Sequence, residues 1–276
     1  MADEPDPVEP AADDDHVIVS FDDGVATVTL NRPDKRNALS DAVSIALEDA
    51  LGAVQDREDA RCLVVTGAGG AFCAGGDVDR MRRRIETDLP LDAAVRNVER
   101  RTAGIVGQVY DFPLPTVAKI DGPAVGAGAG LALACDLQLA SDRSKLGFVY
   151  RHVGLTVDAG VSYLLPRLVG TNVAKELVLT GELLDADRAL ELGLLNHVYP
   201  TEAFDERVDD LVRTIATGPT VGLRHAMRLI DAAAGTPFDD VLRDEAAAQG
   251  LALGTADHRE GVEAFSERRE PSFEGR

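Results

Sequence analysis

The sequence predicts a layered α/β core that runs into a helical C-terminal region. Two observations carry this. Short alternating or apolar stretches of strand length recur at Val17–Ser20, Val25–Leu30, Cys62–Thr66, Thr116–Ile120 and Asp136–Ala140, with helical periodicity between them, which is the pattern of stacked strand and helix layers. From Ser162 onward nearly every stretch has the period of a helix.

Taken in order, Val17–Ser20 and Val25–Leu30 flank Asp22-Asp23-Gly24, a hairpin signal. Ser40 caps an amphipathic helix to about Gln55, whose apolar positions are Val43, Leu47, Ala50, Leu51 and Val54. Cys62–Thr66 is a buried strand leading into a first glycine loop, Ala71–Asp77. Helical stretches follow near Asp77–Arg84 and Leu91–Tyr110. Thr116–Ile120 ends in a second loop, Asp121–Gly130, which opens a short apolar helix. Helices are then expected at Thr171–Thr180, Asp185–Leu192, Glu202–Thr217, Pro219–Ala233, Phe238–Leu253 and Asp257–Arg269. The chain is thus read as a core over residues 16–200 and a helical region over 201–276. Met1 to Asp15 is acidic and Pro-rich and is expected to be a disordered tail.

Composition excludes several classes. No apolar run approaches the ~20 residues of a membrane span, and the N-terminus lacks the basic start and apolar stretch of a signal peptide. Three cysteines, Cys62, Cys73 and Cys135, lie in apolar or Gly-rich stretches, which fits a reducing cytoplasm rather than a disulfide framework. None has metal-ligand spacing with histidine, so no zinc site is expected. The formal net charge is −20, and 24 of the 28 basic residues are arginine. An acidic surface almost without lysine resembles that of proteins from salt-loving organisms, where salt screens self-repulsion. Such a field repels nucleic acid, and a phosphate-bearing ligand would need local arginine.

The glycine loops carry chemistry. Glycine permits unusual dihedrals and close approach of a ligand. A Gly/Ala run opening a helix presents unpaired N–H groups at the positive end of the helix dipole. Two such donors converging on a thioester carbonyl would stabilise an enolate or a tetrahedral oxyanion. A dinucleotide site fits less well, because Gly126-Ala127-Gly128-Ala129-Gly130 is G-x-G-x-G rather than G-x-G-x-x-G.

The two loops, with Asn31-Arg32-Pro33, Asn37-Ala38-Leu39, Gly154 with Gly160, Leu179-Thr180-Gly181, Ala189–Leu194 and Arg259–Phe265, resemble the crotonase superfamily, also called the enoyl-CoA hydratase/isomerase family, over about Val17 to Phe273. The resemblance implies a spiral of ββα units, a C-terminal helical region that forms a homotrimer or a dimer of trimers, and an acyl-CoA thioester substrate. Coenzyme A would enter as part of the substrate, with no separate cofactor. The implied oxyanion donors are the N–H groups of Gly76 and Ala127. Cations for the CoA phosphates would come from Arg32, Lys35, Arg80 and Arg84, with Arg82 and Arg83 beside them. Ala74 and Phe265 would also meet the CoA.

In hydratases of the family two glutamates perform the acid–base work. Their positions here hold Gly130 and Tyr150, so no carboxylate there activates water. One acid stands where some relatives carry theirs. Asp158, four residues after Gly154, resembles the catalytic aspartate of dienoyl-CoA isomerases and the nucleophile of 4-chlorobenzoyl-CoA dehalogenases. Its apolar neighbours would raise its pKa, while Asp also serves well as a helix cap. Tyr150 could donate a hydrogen bond at the site or pack. His152 lies two residues further on and could point away. A 1,3-proton shift needs the fewest groups, so double-bond isomerisation of an enoyl-CoA ranks first. Hydrolytic chemistry through Asp158 ranks second, hydration third, and acyl-CoA binding without turnover stays open.

Overall fold

The structure, a computed structural model, describes residues 16–87 and 90–276; the expected N-terminal tail lies outside the described residues. Strands β1 (Val17–Asp22) and β2 (Val25–Leu30) form an antiparallel hairpin whose turn places Asp23 and Gly24 at positive φ. Helix α1 (Asp41–Gln55) starts where the Ser40 hydroxyl accepts from the Val43 amide, 3.2 Å away, and its five expected apolar positions are all buried. β3 (Cys62–Gly67), α2 (Val78–Glu86) and α3 (Leu91–Val98) follow. A π-turn, Glu99–Ala103, joins α3 to α4 (Gly104–Tyr110) without a break. Next come β4 (Thr116–Ile120), β5 (Pro123–Val125), α5 (Ala127–Leu133), β6 (Leu137–Ser141) and β7 (Lys145–Gly147). The remainder is α6 (Val161–Thr180), β8 (Leu183–Asp185), α7 (Ala186–Glu191), β9 (His197–Tyr199), α8 (Phe204–Ala216), α9 (Thr220–Ala233), α10 (Phe238–Leu253) and α11 (Ala256–Glu267).

The strands make two layers. The large sheet runs β1-β2-β3-β4-β6-β9 and is parallel from β2 onward. The small one is β5-β7-β8, extended by isolated parallel bridges between Leu39 and Gly76 and between Cys73 and Ala124. A repeating unit results: a strand of the large sheet, a short extended piece in the second layer, then a helix. It occurs as β2–Leu39–α1, β3–Cys73–α2, β4–β5–α5 and β6–β7–α6, a spiral of ββα units. Alternation along the strands sorts side chains by face. Leu63, Val65, Ala118 and Ala140 enter the main core with α1, α4, α5 and α6, while Cys62, Val64, Val117 and Leu139 pack on Phe204, Val208 and Val212 of α8.

The structure differs from the sequence reading in the second layer. β5, β7, β8 and β9 are three residues each; β5 falls inside the second glycine loop, and the sequence predicts no strand at the other three. Such pieces are too short to show a period of two. Helix α6 also starts earlier than Thr171. Its run contains Pro166 and is interrupted at Gly170, where φ is 77° and ψ is 156°, so two helical segments meet at a left-handed glycine.

Besides the packing of α8, a half-buried cation ties the end of the C-terminal region to the core. Arg61 donates to the Gly218 carbonyl at 2.6 Å, the Phe273 carbonyl at 2.9 Å and the Thr220 hydroxyl at 3.0 Å. Arg61→Ala should therefore lower stability by about 2–4 kcal/mol, because three acceptors lose a charged donor. Differential scanning calorimetry checks this; an unchanged melting profile would show that the anchor is elsewhere.

Candidate active site

β3 and β4 are adjacent and parallel, with Thr66 opposite Lys119, so their C-terminal ends release both glycine loops at one edge of the sheet. Close packing shapes the first loop. Gly67 cannot carry a side chain, since a Cβ there would lie 2.2 Å from the carbonyl oxygens of Ala71 and Phe72. Asn37, fully buried, clamps the loop: its amide nitrogen donates to Ala68 O at 2.9 Å and Ala71 O at 2.7 Å, and its Oδ1 accepts from Arg32 N at 2.8 Å. Asn37 sits at φ 57°, a backbone region that Asn tolerates better than most residues. In the sequence Asn37 stands out only as part of Asn37-Ala38-Leu39. No local pattern marked it as the clamp.

The loops dock edge to edge. Cys73 N donates to Pro123 O at 3.1 Å, and Val125 N returns a bond to Cys73 O at 3.0 Å. A Cβ on Gly75 would fall 3.3 Å from the Ala127 nitrogen, and one on Gly128 would fall 2.2 Å from Cys73 O. Leu39 uses the groups flanking Gly76, donating to Gly75 O at 2.7 Å and accepting from Asp77 N at 3.3 Å. The Gly76 N–H therefore faces away from Leu39 and has no hydrogen-bond acceptor among the described residues. Ala127 is the first residue of α5, where an N–H has no intrahelical partner. Two free amides thus lie on adjacent loops, one of them at a helix N-terminus.

The third part comes from the turn before α6. Ala159 and Gly160 take consecutive positive φ values of 52° and 73°, a strained pair costing about 1–3 kcal/mol for the non-glycine member. In this turn the Asp158 carbonyl accepts from Val161 N at 3.0 Å and from the Tyr150 hydroxyl at 3.4 Å. The N-cap of α6 is Gly160, with no capping side chain, so Asp158 does not serve as a helix cap. Its Oδ1 is buried and has no hydrogen-bond partner among the described residues. Burial raises the Asp158 pKa above the usual carboxylate value, and the neighbouring Tyr150 hydroxyl and the more distant Arg80 only partly oppose this. Tyr150 is buried and its own pKa is raised, first by burial and then by the Asp158 charge.

The two positions that hold glutamate in hydratases are closed to it in different ways. Tyr150 fills one with a phenol. At Gly130 a Cβ would stand 2.4 Å from Ala159 O and 2.6 Å from Ala159 Cβ. His152 is exposed, and its Nε2 lies 2.9 Å from where a Gly181 Cβ would stand, so it leans on the α6–β8 junction.

The residues expected at the CoA are spread over several settings. Arg32 pairs with Asp77 at 3.1 Å. Burial pushes the Asp77 carboxyl up, but Arg32 and the Arg80 and Asp79 amides outweigh it and hold the pKa below the usual value. Lys35 pairs with Asp79 at 3.0 Å on the surface. Ala74 is half-buried and donates its N–H to Arg36 O at 2.9 Å. Arg80 is largely buried between Asp41 and Asn97, and Arg84 donates to Ala94 O at 3.0 Å. Phe265 is 87% exposed on α11. Among the described residues, no three His, Cys, Asp or Glu side chains gather as a metal-holding group, and no helix is long and apolar enough to cross a membrane. A mostly apolar cavity of about 490 Å³ opens at the far end of α5, between Leu133, Tyr163, Leu164 and Met227. It holds neither the free amides nor Asp158, so its size does not make it the reaction site; converging polar groups do.

The family model for enoyl-CoA hydratase/isomerase matches residues 20–276. The chain is 36% identical over 260 residues to the 1,2-epoxyphenylacetyl-CoA isomerase of Escherichia coli K12, covering 94% of this chain and 98% of the relative. It is 34% identical over 207 residues to the 4-chlorobenzoyl coenzyme A dehalogenase-1 of an Arthrobacter species, covering 75% and 74%. Among solved structures, the enoyl-CoA hydratase of Bacillus anthracis superposes with a TM-score of 0.87 at 31% identity, covering 95% of this chain and all of the other. The spiral described above is therefore the crotonase fold.

Proposed function

Because the chain belongs to the enoyl-CoA hydratase/isomerase family, which acts on CoA thioesters, we propose that it moves a carbon–carbon double bond within an enoyl-CoA, with Asp158 as the acid/base group. The Gly76 and Ala127 amides hold the thioester carbonyl oxygen. Asp158 Oδ1 takes a proton from the carbon α to the carbonyl of a 3-enoyl-CoA. The electron pair spreads into a dienolate, whose oxygen charge rests on the two amides. The same carboxyl then returns the proton at the γ carbon, giving the 2-enoyl-CoA. Nothing is added or lost, so one carboxylate suffices.

The observation that carries this reading is the buried Asp158 Oδ1 without a partner. A lone pair left free in a desolvated setting is a base whose pKa has been moved toward neutrality. The absence of a carboxylate at Gly130 and Tyr150 weighs against water activation. A relative is named 1,2-epoxyphenylacetyl-CoA isomerase, which supports isomerisation of a CoA thioester as a reaction class, although its named substrate is an epoxide and not a 3-enoyl thioester. Hydrolytic chemistry is the second reading, favoured by the same free oxygen acting as a nucleophile and by the dehalogenase relative. It needs a base for water, and His152 leans elsewhere. Assembly as a trimer or a pair of trimers belongs to the same proposal; Leu168, Ile230, Leu251 and Phe265 are exposed apolar residues that such assembly could cover.

The test is turnover of 3-hexenoyl-CoA, crotonyl-CoA and 4-chlorobenzoyl-CoA in molar KCl, followed by product chromatography. The expected result is 2-hexenoyl-CoA as the main product. Faster hydration of crotonyl-CoA, or chloride release, would replace this reading.

A further inference from the structure

The Gly76 N–H belongs to a peptide with a glycine on each side. The Gly75 carbonyl and the Gly76 amide are the two ends of that planar unit and point in opposite directions. Glycine moves through dihedral space more freely than any other residue, and Gly75 already stands at φ 82°. A peptide flanked in this way has little resistance of its own to turning over. Turned over, it would present a carbonyl oxygen where the N–H now points, and repel an oxyanion instead of holding it. A donor built this way needs an external hold if it is to be preorganised.

The turn from Arg32 to Leu39 supplies the hold. Leu39 N donates to the carbonyl of this peptide, Gly75 O, at 2.7 Å. On the near side Arg36 O accepts from Ala74 N at 2.9 Å. On the far side the bond from Asp77 N to Leu39 O is longer, 3.3 Å. Arg32 reinforces that looser end. Its Nη1 reaches the Ala38 carbonyl at 3.4 Å and Asp77 Oδ2 at 3.1 Å, so one guanidinium joins the turn to the residue after Gly76.

Both partners are themselves fixed. Asp77 Oδ1 accepts from Asp79 N at 2.9 Å and Arg80 N at 3.2 Å, so both carboxylate oxygens are engaged. Arg32 N donates to Asn37 Oδ1 at 2.8 Å, and Arg32 O accepts from Asn37 N at 2.9 Å. Arg36 and Asn37 take consecutive positive φ values of 49° and 57° to make this turn, a strained backbone that persists where its surroundings over-determine it. An exposed ion pair would be a weak hold, but the Arg32 and Asp77 side chains are only 20% and 6% exposed.

We propose that Arg32 and Asp77 are positioning residues for the reaction, their ion pair keeping the Gly75–Gly76 peptide from turning its N–H away from the thioester oxygen. This rests on the reading above in placing that oxygen at the Gly76 amide. The test uses hexanoyl-CoA labelled with carbon-13 at the thioester carbonyl. Difference infrared spectroscopy reads the carbonyl stretch of the bound ligand, and titration calorimetry reads its dissociation constant, for wild type, Arg32→Met, Arg32→Lys and Asp77→Asn. Asn still caps a helix, so Asp77→Asn removes the ion pair without removing the start of α2. In wild type the stretch should lie at lower frequency than in water. Arg32→Met and Asp77→Asn should both move it back toward the free value, with the dissociation constant within a fewfold of wild type, and Arg32→Lys should stay nearer to wild type. A lowered stretch that both charge-removing variants leave in place overturns this inference alone. So does weaker binding by Arg32→Met with the stretch unmoved, which would give Arg32 to the CoA moiety. An unshifted carbonyl in wild type overturns the seating at Gly76 and this inference with it.

Discussion

Asp158→Asn should reduce isomerisation by about 10³-fold or more while leaving acyl-CoA binding within a fewfold of wild type. The size follows from removing the proposed base, since positioned proton transfer contributes about 10²–10⁴-fold. The proposed oxyanion donors, the Gly76 and Ala127 amides, are backbone groups and stay in place, so binding should persist. Exchange of the α proton of hexanoyl-CoA with deuterated solvent, followed by NMR, isolates the first half of the reaction. Loss of exchange together with turnover identifies Asp158 as the base. Unchanged exchange in the variant would give that role to another group.

The pH dependence follows from the same burial. The carboxylate is the active form, so activity should rise with pH through the Asp158 pKa, which lies above the usual 3.8. Stability moves in the opposite sense. A carboxyl whose pKa is higher folded than unfolded binds more protons in the folded state, so ionising it costs stability as pH rises through the raised value. Asp158→Asn removes that cost. The variant should melt slightly above wild type at neutral pH and level with it in acid, which a pH series of thermal melts would show.

Gly130→Glu, the change that would restore the first hydratase carboxylate, should not create a hydratase. The obstacle is the backbone of Ala159 at 2.4 Å from the new Cβ, and backbone cannot yield as a side-chain tip can. Overpacking of this kind costs about 1–3 kcal/mol or more. It would also push the turn that holds Asp158, so isomerisation should fall at least about 10²-fold, the scale of losing a positioned acid–base group. Crotonyl-CoA hydration, isomerisation and a melting curve of the variant are the three readings required. A stable Gly130→Glu protein with new hydratase activity would mean that the α5–α6 contact is far softer than its geometry indicates.

Much of the fold was legible because it is periodic. The five apolar positions of α1 and the cap at Ser40 are local signals that tertiary packing then used unchanged. The second layer was not legible, because three-residue strands and single bridges have no period and are defined by partners far along the chain, as Cys73 is by Ala124. At the site, the glycine loops stood out because their shape demands missing side chains. The setting of Asp158 did not, since whether it caps a helix or stands free depends on Ala159 accepting a left-handed backbone. The arginines were visible as residues, but their partners were not. Arg32 finds Asp77 45 positions away, and Arg80 reaches back to Asp41.

The π-turn between α3 and α4 has a consequence for how such a site could be retuned. A π-turn is one residue inserted into an α-helix, and each residue turns a helix by ~100°. Deleting one residue from Glu99–Ala103 would rewind the segment as plain α-helix. Helix α3, which runs directly into the turn, would then swing by that angle against α4, whose Ile105, Val106 and Val109 are fixed in the core. Asn97 would leave Arg80, and the upstream face that now meets α2 would be exchanged for another. A single codon lost here would change what packs against α2 while leaving the spiral, both glycine loops and Asp158 where they are.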